Sequence, residues 1–305
     1  MRAGWSCILV AGLAGCQLVF PLEHDEAAGD ASPPDDTIRG DGSDGDGGDA
    51  DRDADGVADS ADNCVAIANA DQHDEDGDQI GDVCDNCPHV GTPDQTNADG
   101  DDLGDACDTS AAVDCIARFD PLTSLQGWTV TSGGWAIQNN ALLQSDAGAA
   151  DALVVSDTTF TRNSVEIGAR IVSLGSASPR SVGVWTAVKQ VSPITGVLAD
   201  LRDPAGKAEL AVAQLTNGIG TGLQTIPLNP SRPLAAGDLT IVSIDQRLST
   251  LLISRASDGS SIANSSVTRT STDGRIALRT NHASVAFDYV LVVERNATTP
   301  CPPRQ

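Results

Sequence analysis

Acidic residues in the N-terminal part of the chain recur at a spacing that suits metal coordination. The segment from Asp51 to Asp59 carries carboxylates at its first, third, fifth and ninth positions and Gly56 at its sixth. Hard oxygen ligands suit Ca²⁺, and a glycine lets the chain turn sharply around the ion. The pattern recurs from Asp74 and again from Asn97, so the sequence predicts three calcium loops. The candidate ligands are Asp51, Asp53, Asp55, Asp59, Asp62, Asp74, Asp76, Asp78, Asp82, Asp85, Asn97, Asp99, Asp101, Asp105 and Asp108.

The cysteines share the phase of these loops. Two intervals of 20 residues, from Cys64 to Cys84 and from Cys87 to Cys107, mark a repeat. Six of the eight cysteines lie beyond residue 16, and an even number in an exported chain predicts disulfides. The six are Cys64, Cys84, Cys87, Cys107, Cys115 and Cys301.

Residues 49–108 resemble thrombospondin type 3 repeats, a family of Asp-rich, calcium-wrapped modules without a conventional hydrophobic core. Besides the phased loops, the resemblance rests on Asp-Asn-Cys junctions, one of which continues into Pro at 85–88, and on Asp-Gln pairs at 71–72 and 94–95. It implies that each carboxylate of the predicted loops binds Ca²⁺. It also implies the disulfides Cys64–Cys84 and Cys87–Cys107. The alternative is a solvated acidic linker that binds no metal.

Three positions within the loops depart from the repeat pattern, and Val65 stands where the second junction has Pro88. Gln79 and Asp102 stand where a loop glycine is usual, and Asn97 replaces an aspartate at the first position of the third loop. Because Asn97 removes one negative charge, we expect the third loop to bind Ca²⁺ more weakly.

The net charge of −25 is concentrated in one part of the chain. Residues 17–114 contain 29 acidic residues and two arginines, whereas residues 115–305 contain 14 acidic and 15 basic residues. A segment this acidic buries too little apolar surface to offset the conformational entropy lost on folding. It therefore needs cations and cross-links to be structured. Nucleic acid is excluded as a partner, because phosphates need basic residues. No apolar run beyond residue 20 is long enough to span a bilayer.

The N-terminus has the features of an export signal. Residues 1–15 combine one positive charge with a short apolar run that ends in small residues. The sequence Leu-Ala-Gly-Cys at 13–16 resembles the lipobox of bacterial lipoproteins, which implies lipidation of Cys16 and membrane attachment through acyl chains. Gln17 favours the outer membrane in that family. The alternative is an ordinary secretory signal in which Cys16 is incidental. Residues 16–48, rich in Gly, Ser, Pro and Asp, are predicted to be a flexible acidic tether.

Residues 115–301 have the period-two alternation of β-strands. Residues 164–171 alternate polar and apolar side chains, and similar runs follow to residue 293, separated by turn sequences such as Ser-Asp-Gly at 257–259. Since no long amphipathic helix is evident, we predict an all-β fold, an antiparallel β-sandwich preceded by calcium-wrapped, disulfide-linked repeats with little regular secondary structure.

The order of landmarks in this domain resembles the concanavalin A-like lectin/glucanase jelly roll, which includes laminin-G-like domains. The landmarks are Phe-Asp at 119–120, Gly-Trp at 127–128, a strand pair at 135–144 and two strands at 274–292. First and last strands pair in that family, which would bring Cys115 and Cys301 together in a disulfide.

The sandwich carries no recognisable catalytic set. Glycosidases need two carboxylates that flank the scissile bond, but Glu166, Glu209 and Glu294 are isolated. Asp200 and Asp203 are expected on opposite faces of a strand or in a turn, and His282 lies in a turn where it is expected to be solvated. We therefore expect a protein that is not an enzyme.

Aromatic residues are scarce in this domain, which limits the candidates for a sugar-binding platform. Trp128, Trp135 and Phe287 are expected in the core. Trp185 is out of phase with Val182 and Val184 and is the best candidate for an exposed aromatic ligand-binding surface.

Together these features predict a lipid-anchored protein of the cell outer membrane in which a calcium-stiffened stalk presents a lectin-like domain to a glycan or a surface protein. The alternatives are a structural envelope spacer without a glycan ligand, and a polysaccharide hydrolase on a glucanase-like fold. An exposed apolar face favours the spacer, and clustered carboxylates in a groove favour the hydrolase.

Overall fold

The computed structural model describes residues 50–108, 112–161, 163–228, 232–245, 250–255, 261–266 and 273–295, with residues 297 and 301. Residues 49–305 belong to one compact unit. The predicted signal sequence, the lipidation site Cys16 and the tether at 16–48 lie outside the described residues. Among the residues that are described, no helix is long and apolar enough to cross a membrane.

Fifteen strands are formed by the described residues of the C-terminal domain, and the predicted all-β sandwich is confirmed. They are β1 (Cys115–Asp120), β2 (Trp128–Ser132), β3 (Trp135–Gln138), β4 (Ala141–Gln144), β5 (Ala152–Phe160), β6 (Asn163–Leu174), β7 (Arg180–Val191), β8 (Ile194–Asp203), β9 (Glu209–Thr216), β10 (Ile219–Pro227), β11 (Leu239–Asp245), β12 (Thr250–Arg255), β13 (Ser261–Ser266), β14 (Gly274–Asn281) and β15 (Ala283–Glu294).

The strands form two antiparallel sheets. Sheet A has the order β13-β12-β11-β6-β15-β4-β3, and β1 pairs with the C-terminal half of β15. Sheet B has the order β10-β9-β8-β7-β14-β5-β2. The first and last strands therefore pair, as expected, and a disulfide joins Cys115 on β1 to Cys301.

The core lies between the sheets and follows the alternation of the sequence. On β6, Val165, Ile167, Ala169 and Ile171 all point into the main core cluster. Phe287 is fully buried there and contacts the ring of Trp135. Trp128 is buried in the same cluster, so the expected core positions of Trp128 and Phe287 are confirmed, whereas Trp135 is partly buried against it.

A change of register in β15 gives this strand two buried faces. The pairing of β15 with β6 shifts between Phe287 and Tyr289. Beyond the shift, Val290 and Val292 point into the main core, whereas Tyr289, Leu291 and Val293 form a second cluster on the outer face of sheet A. Apolar side chains on the outer face of a sheet are stabilised when another segment packs on them and shields them from water.

The cover is provided by the acidic segment. In the described residues 50–108 there is no helix or strand, only turns and bends. Leu103 is 3% exposed and packs in the second cluster with Ile116 of β1, and Cys107 adjoins it. The acidic segment is thus packed on sheet A. The sequence predicted a calcium-stiffened stalk without this packing, which arises because the apolar seventh residue of the third loop covers a hydrophobic surface.

Candidate functional site

The three predicted loops fold in the same way. The third-position carboxylate accepts a hydrogen bond from the backbone nitrogen of the fifth residue, as in Asp53 with Asp55 at 3.3 Å. The fifth-position carboxylate accepts one from the seventh residue, as in Asp55 with Val57 at 2.8 Å. The corresponding bonds of the second and third loops are 2.7–3.4 Å long. Repeated Asx turns of this kind direct successive carboxylates to one side of the chain.

Carboxylate oxygens converge in each loop. One oxygen from each of Asp51, Asp53 and Asp55 lies within 4.8 Å of the others. The same holds for Asp74, Asp76 and Asp78, and for Asp99, Asp101 and Asp108. Since Ca²⁺–oxygen distances are about 2.3–2.6 Å, oxygens this close together can ligate one ion.

Buried oxygens in these clusters test whether a cation fits. Within the described residues, Asp53 Oδ2, Asp76 Oδ2 and Asp78 Oδ2 are buried without a hydrogen-bond partner. Burial, reinforced by neighbouring Asp78, raises the pKa of Asp76 to about 6. Burial is also the main cause of the raised pKa values of Asp53 and Asp101. Carboxylates held in this way need a positive charge, so the residues fit Ca²⁺.

The ninth-position carboxylates close the loops instead of joining the oxygen clusters. Asp59 accepts a hydrogen bond from the backbone nitrogen of Arg52, the second residue of its loop, at 2.8 Å. Asp82 and Asp105 make the same bond at 2.9 and 2.8 Å. Asp82 also bonds His73 Nδ1 at 2.7 Å. In the described clusters none of the three contributes an oxygen, and each instead braces its loop through this backbone bond.

The twelfth-position residues differ between loops. Asp108 joins the third cluster, whereas Asp62 and Asp85 lie outside the first and second. Asp62 and Asp85 are each bound through Oδ1 by a glutamine amide, at 2.8 Å in both cases. The sequence showed these glutamines only as part of a repeated Asp-Gln pair, and their contact with the aspartates was not predicted.

Asn97 takes part in the third loop through both ends of its amide. Its Oδ1 accepts a bond from Gly100 at 2.7 Å and its Nδ2 donates to the backbone oxygen of Asp101 at 2.7 Å. Asp74 at the same position of the second loop instead accepts two backbone bonds. The Asn97 amide is uncharged and donates a hydrogen bond within the loop, so the third loop has one anionic side chain fewer at its first position than the second loop.

The sixth position requires a left-handed backbone in two loops. Gly56 has φ 94° and Gln79 has φ 81°, so the glutamine adopts the conformation that glycine favours. Asp102 is not among the residues with positive φ. The missing glycine is therefore accommodated differently in the second and third loops.

Disulfides link consecutive loops. Cys64 pairs with Cys84 and Cys87 with Cys107, each with a Cα–Cα distance of 5.7 Å, in the pairing implied by the repeat resemblance. Each bond ties the end of one loop to the interior of the next.

The second and third repeats contact sheet A through a polar cluster as well as through Leu103. His89 Nε2 lies 3.4 Å from Glu166 Oε1 on β6, and the His89 and Tyr289 rings are 5.9 Å apart. Backbone nitrogens continue the contact: Asp114 donates to Asp101 Oδ2 at 2.7 Å, and Ile116 donates to Asp102 Oδ2 at 3.2 Å. The third loop is therefore fixed directly to the start of β1.

The outer face of sheet B is on the opposite side of the sandwich. Trp185 lies there, out of phase with Val182 and Val184 as predicted. The expectation that it is exposed is wrong, because it is only 4% exposed. Leu153, Val155, Val188 and Ala277 from three strands pack around it, and such cross-strand packing is not visible in the periodicity of β7 alone.

Charged residues share this face with Trp185. Gly183 on β7 pairs across the sheet with Asp200 on β8 and with Arg279 on β14. Arg279 Nη1 donates to Asp200 Oδ2 at 2.9 Å and also binds Asp151. Burial raises the pKa of Asp200, although Arg279 opposes the rise. Asp200 Oδ1 and Trp185 Nε1 are buried without a partner in the part of the chain that is described.

The other acidic residues considered for catalysis occupy separate places. Asp203 points to the opposite side from Asp200, is fully buried, and binds Arg180 at 2.8 Å. Glu209 binds Arg202 at 2.8 Å. His282 has φ 47° and its Nδ1 lies 3.2 Å from the backbone oxygen of Gly148, so it holds a turn against a neighbouring loop.

Comparison with known families identifies the first part of the repeat region. Residues 40–72 and 72–95 match the family model of the thrombospondin type 3 repeat. The matches end before Asn97, where the third loop begins. The third loop nevertheless forms the same backbone-to-carboxylate hydrogen bonds as the first two.

No curated protein matches the sequence significantly. Among solved structures, the chain is similar to the carbohydrate-binding module CBM66 from Bacillus subtilis, with 15% identity, a TM-score of 0.42, and coverage of 54% of this chain and 94% of the module. It is similar to a Bacillus licheniformis beta-glucanase, with 10% identity, a TM-score of 0.41 and coverage of 57% and 96%. It is also similar to the CBM2 module of Lactobacillus casei BL23 phage J-1 evolved Dit, with 11% identity, a TM-score of 0.44 and coverage of 61% and 98%. These similarities concern the sandwich fold alone.

Proposed function

We propose that this chain is an exported, lipid-anchored calcium-binding protein that presents a lectin-like sandwich at the cell surface and binds a carbohydrate without catalysing a reaction. Lipidation at Cys16 and an outer-membrane location are the parts of this proposal that rest on sequence alone. The repeats that match the thrombospondin type 3 family and the converging carboxylates support calcium binding.

The observation that carries the binding role is the pair of unpartnered polar atoms on sheet B. Trp185 Nε1 can only donate and Asp200 Oδ1 can only accept, and both lie on sheet B, whereas the described contacts of the repeats are with sheet A. Buried polar groups need a partner, and a ligand that carries several hydroxyl groups can satisfy a donor and an acceptor together. The missing side chain at Gly183 lets Asp200 Oδ1 turn towards β7, because a Cβ at this position would lie 2.7 Å from that oxygen.

The test is binding of the full chain to immobilised polysaccharides in the presence of Ca²⁺, with Trp185→Phe as the informative variant. This change removes the indole donor and keeps an aromatic ring, so we expect a several-fold loss of binding. Trp135→Phe is the matched control, because Trp135 lies on β3 of sheet A and its Nε1 already donates to the backbone oxygen of Ser132 at 2.7 Å.

Three outcomes distinguish the functions. Binding that Trp185→Phe weakens and Trp135→Phe does not supports the proposal. The absence of any bound polysaccharide contradicts it and favours the structural spacer. Release of reducing sugar from a bound polysaccharide contradicts the non-catalytic role and favours the hydrolase.

A further inference from the structure

Gln72 connects the first calcium loop to the second. Its Nε2 donates to Oδ1 of Asp62, the twelfth residue of the first loop, at 2.8 Å. Its Oε1 accepts a bond from the backbone nitrogen of Asn63 at 2.9 Å, and its backbone oxygen accepts one from Asn63 Nδ2 at 3.1 Å. Gln72 itself stands two residues before Asp74, which begins the second loop.

Gln95 repeats this arrangement between the second loop and the third. Its Nε2 donates to Asp85 Oδ1 at 2.8 Å and its Oε1 accepts from the backbone nitrogen of Asn86 at 2.8 Å. Asn86 Nδ2 returns a bond to the backbone oxygen of Gln95 at 3.0 Å. Gln95 stands two residues before Asn97, which begins the third loop. Two independent copies of one set of contacts indicate a specific role for the side chain.

The chemistry of the contact requires an amide. One end of the side chain must accept from a backbone nitrogen while the other end donates to a carboxylate. A glutamate accepts at both ends, so it would place a second negative charge beside the aspartate. A methionine offers neither a strong acceptor nor a donor.

The third loop has no glutamine at the corresponding position, and the start of the sandwich contacts its fifth and sixth residues instead. Arg118 occupies the position ten residues after Asp108, where Gln72 and Gln95 stand relative to Asp62 and Asp85. Arg118 instead binds Asp120 and lies over the Trp128 ring on the sandwich. The last loop is fixed by the backbone of β1, and each earlier loop is fixed by the segment that enters the next loop.

We propose that Gln72 and Gln95 are positioning residues that couple successive calcium loops. Each glutamine binds the last carboxylate of one loop and lies in the segment that leads into the first residue of the next loop. Ca²⁺ binding to one loop therefore orders its neighbour, and binding along the repeats is cooperative. The inference rests on the proposed calcium binding and on the ligand role of Asp62 and Asp85 that the repeat resemblance implies. Partners of metal ligands commonly contribute 10- to 100-fold in affinity, which sets the expected size of the effect.

The experiment is isothermal titration of the chelator-stripped full chain with CaCl₂. We expect Gln95→Glu and Gln95→Met each to weaken binding about 10-fold and to flatten the cooperative isotherm. The two variants change the charge differently but both remove the Nε2 donor, so a shared loss identifies the lost hydrogen bond as the cause. Gln138→Glu on the exposed strand β3 is the control for added charge and should titrate like the unaltered protein.

A second measurement separates positioning from a purely structural role. Melting temperatures are compared in saturating Ca²⁺ and in chelator. A positioning residue lowers the melting temperature in Ca²⁺ and leaves that in chelator unchanged, whereas equal losses in both conditions overturn the proposal. Unaltered affinity and cooperativity in Gln95→Met and Gln72→Met also overturn it. If the unaltered chain binds no Ca²⁺, the proposed calcium function itself fails, which is a separate result.

Discussion

Tyr289 on β15 donates a 2.8 Å hydrogen bond to Glu166 on the adjacent strand β6, directly beneath the repeats. His89 of the repeats contacts both residues, and Phe119 of β1 stacks on the tyrosine ring from 5.8 Å. This group joins the acidic repeats to the sandwich. Since Tyr289 is the only tyrosine in the chain, its ionisation reports directly on that junction.

The first prediction concerns the titration of Tyr289. Burial, followed by the charge of Glu166, raises its pKa well above the usual value near 10. Because the folded state holds the phenol proton more tightly, its contribution to stability is complete below about pH 10 and is lost as the pH rises towards the folded-state pKa. Absorbance at alkaline pH should show delayed ionisation in the native protein and ionisation near pH 10 in denaturant. Ionisation near pH 10 in the native protein would show that the junction is open.

The second prediction concerns Gly168, which lies on β6 beside the tyrosine. A Cβ at this position would come within 2.3 Å of Tyr289 Cε1, so Gly168→Ala must displace the ring. We expect about 1–3 kcal/mol of destabilisation and a tyrosine pKa closer to 10. Gly220→Ala is the control, because its Cβ would meet nothing within 4 Å. Equal behaviour of the two variants in the alkaline titration would contradict the assigned packing.

The third prediction concerns the apolar contact of the third loop. Leu103→Ala should destabilise the packing of the repeats on sheet A by about 2–5 kcal/mol, the usual cost of truncating a buried leucine. Ile80 occupies the same seventh position in the second loop but belongs to none of the described core clusters. Ile80→Ala should therefore cost much less. Thermal unfolding in Ca²⁺ checks the difference, and equal losses would argue against docking through Leu103.

The fourth prediction concerns removal of the metal. With a chelator, repulsion among the clustered carboxylates is no longer balanced, and residues 50–108 should lose hydrogen-exchange protection. The strands of the main core should keep theirs, because the sandwich has its own buried cluster and the Cys115–Cys301 disulfide. Exchange that is identical with and without Ca²⁺ in residues 50–108 would rule out a structural role for the ion.

The fifth prediction concerns Gln79, whose φ of 81° is unfavourable for a residue with a Cβ. Gln79→Gly should stabilise the second loop by about 1 kcal/mol, since a left-handed conformation costs most residues about 1–2 kcal/mol. Gln126→Gly on the sandwich is the control, with the opposite expected effect. Gln126 is not among the residues with positive φ, so this change only increases the backbone entropy of the unfolded chain and should lower stability. A lower melting temperature for Gln79→Gly in Ca²⁺ would contradict the assignment.

The sequence predicted those features that depend on local spacing. Carboxylates two residues apart define a loop by themselves, and alternation along residues 164–171 defines a strand, because both patterns are set by neighbouring residues. The pairing of β1 with β15 followed from the domain resemblance and agrees with the disulfide at Cys115. The ninth-position aspartates close their loops, and spacing alone does not distinguish that role from metal ligation, so their assignment as ligands stays a prediction.

The remaining features depend on contacts between distant residues. Leu103 looks equivalent to Val57 and Ile80 in the sequence, yet it alone of the three packs with Tyr289 in the described cluster. The register shift in β15 exposes the residues that Leu103 covers, and no periodicity announces it. Trp185 was correctly placed on the outer face of sheet B, but its burial comes from Leu153 and Ala277 on other strands.

The disulfide between Cys115 and Cys301 also determines how the domain would respond to mechanical load. It bridges 186 positions of sequence and joins the residue that follows the repeats to a residue close to the C-terminus. Tension applied between the two ends of the chain would pass through this covalent bond and bypass the strands in between. The sandwich could then be pulled from its ends without being unfolded, whereas the loops at 50–108 would bear the full force, resisted by their own disulfides and by their packing on sheet A.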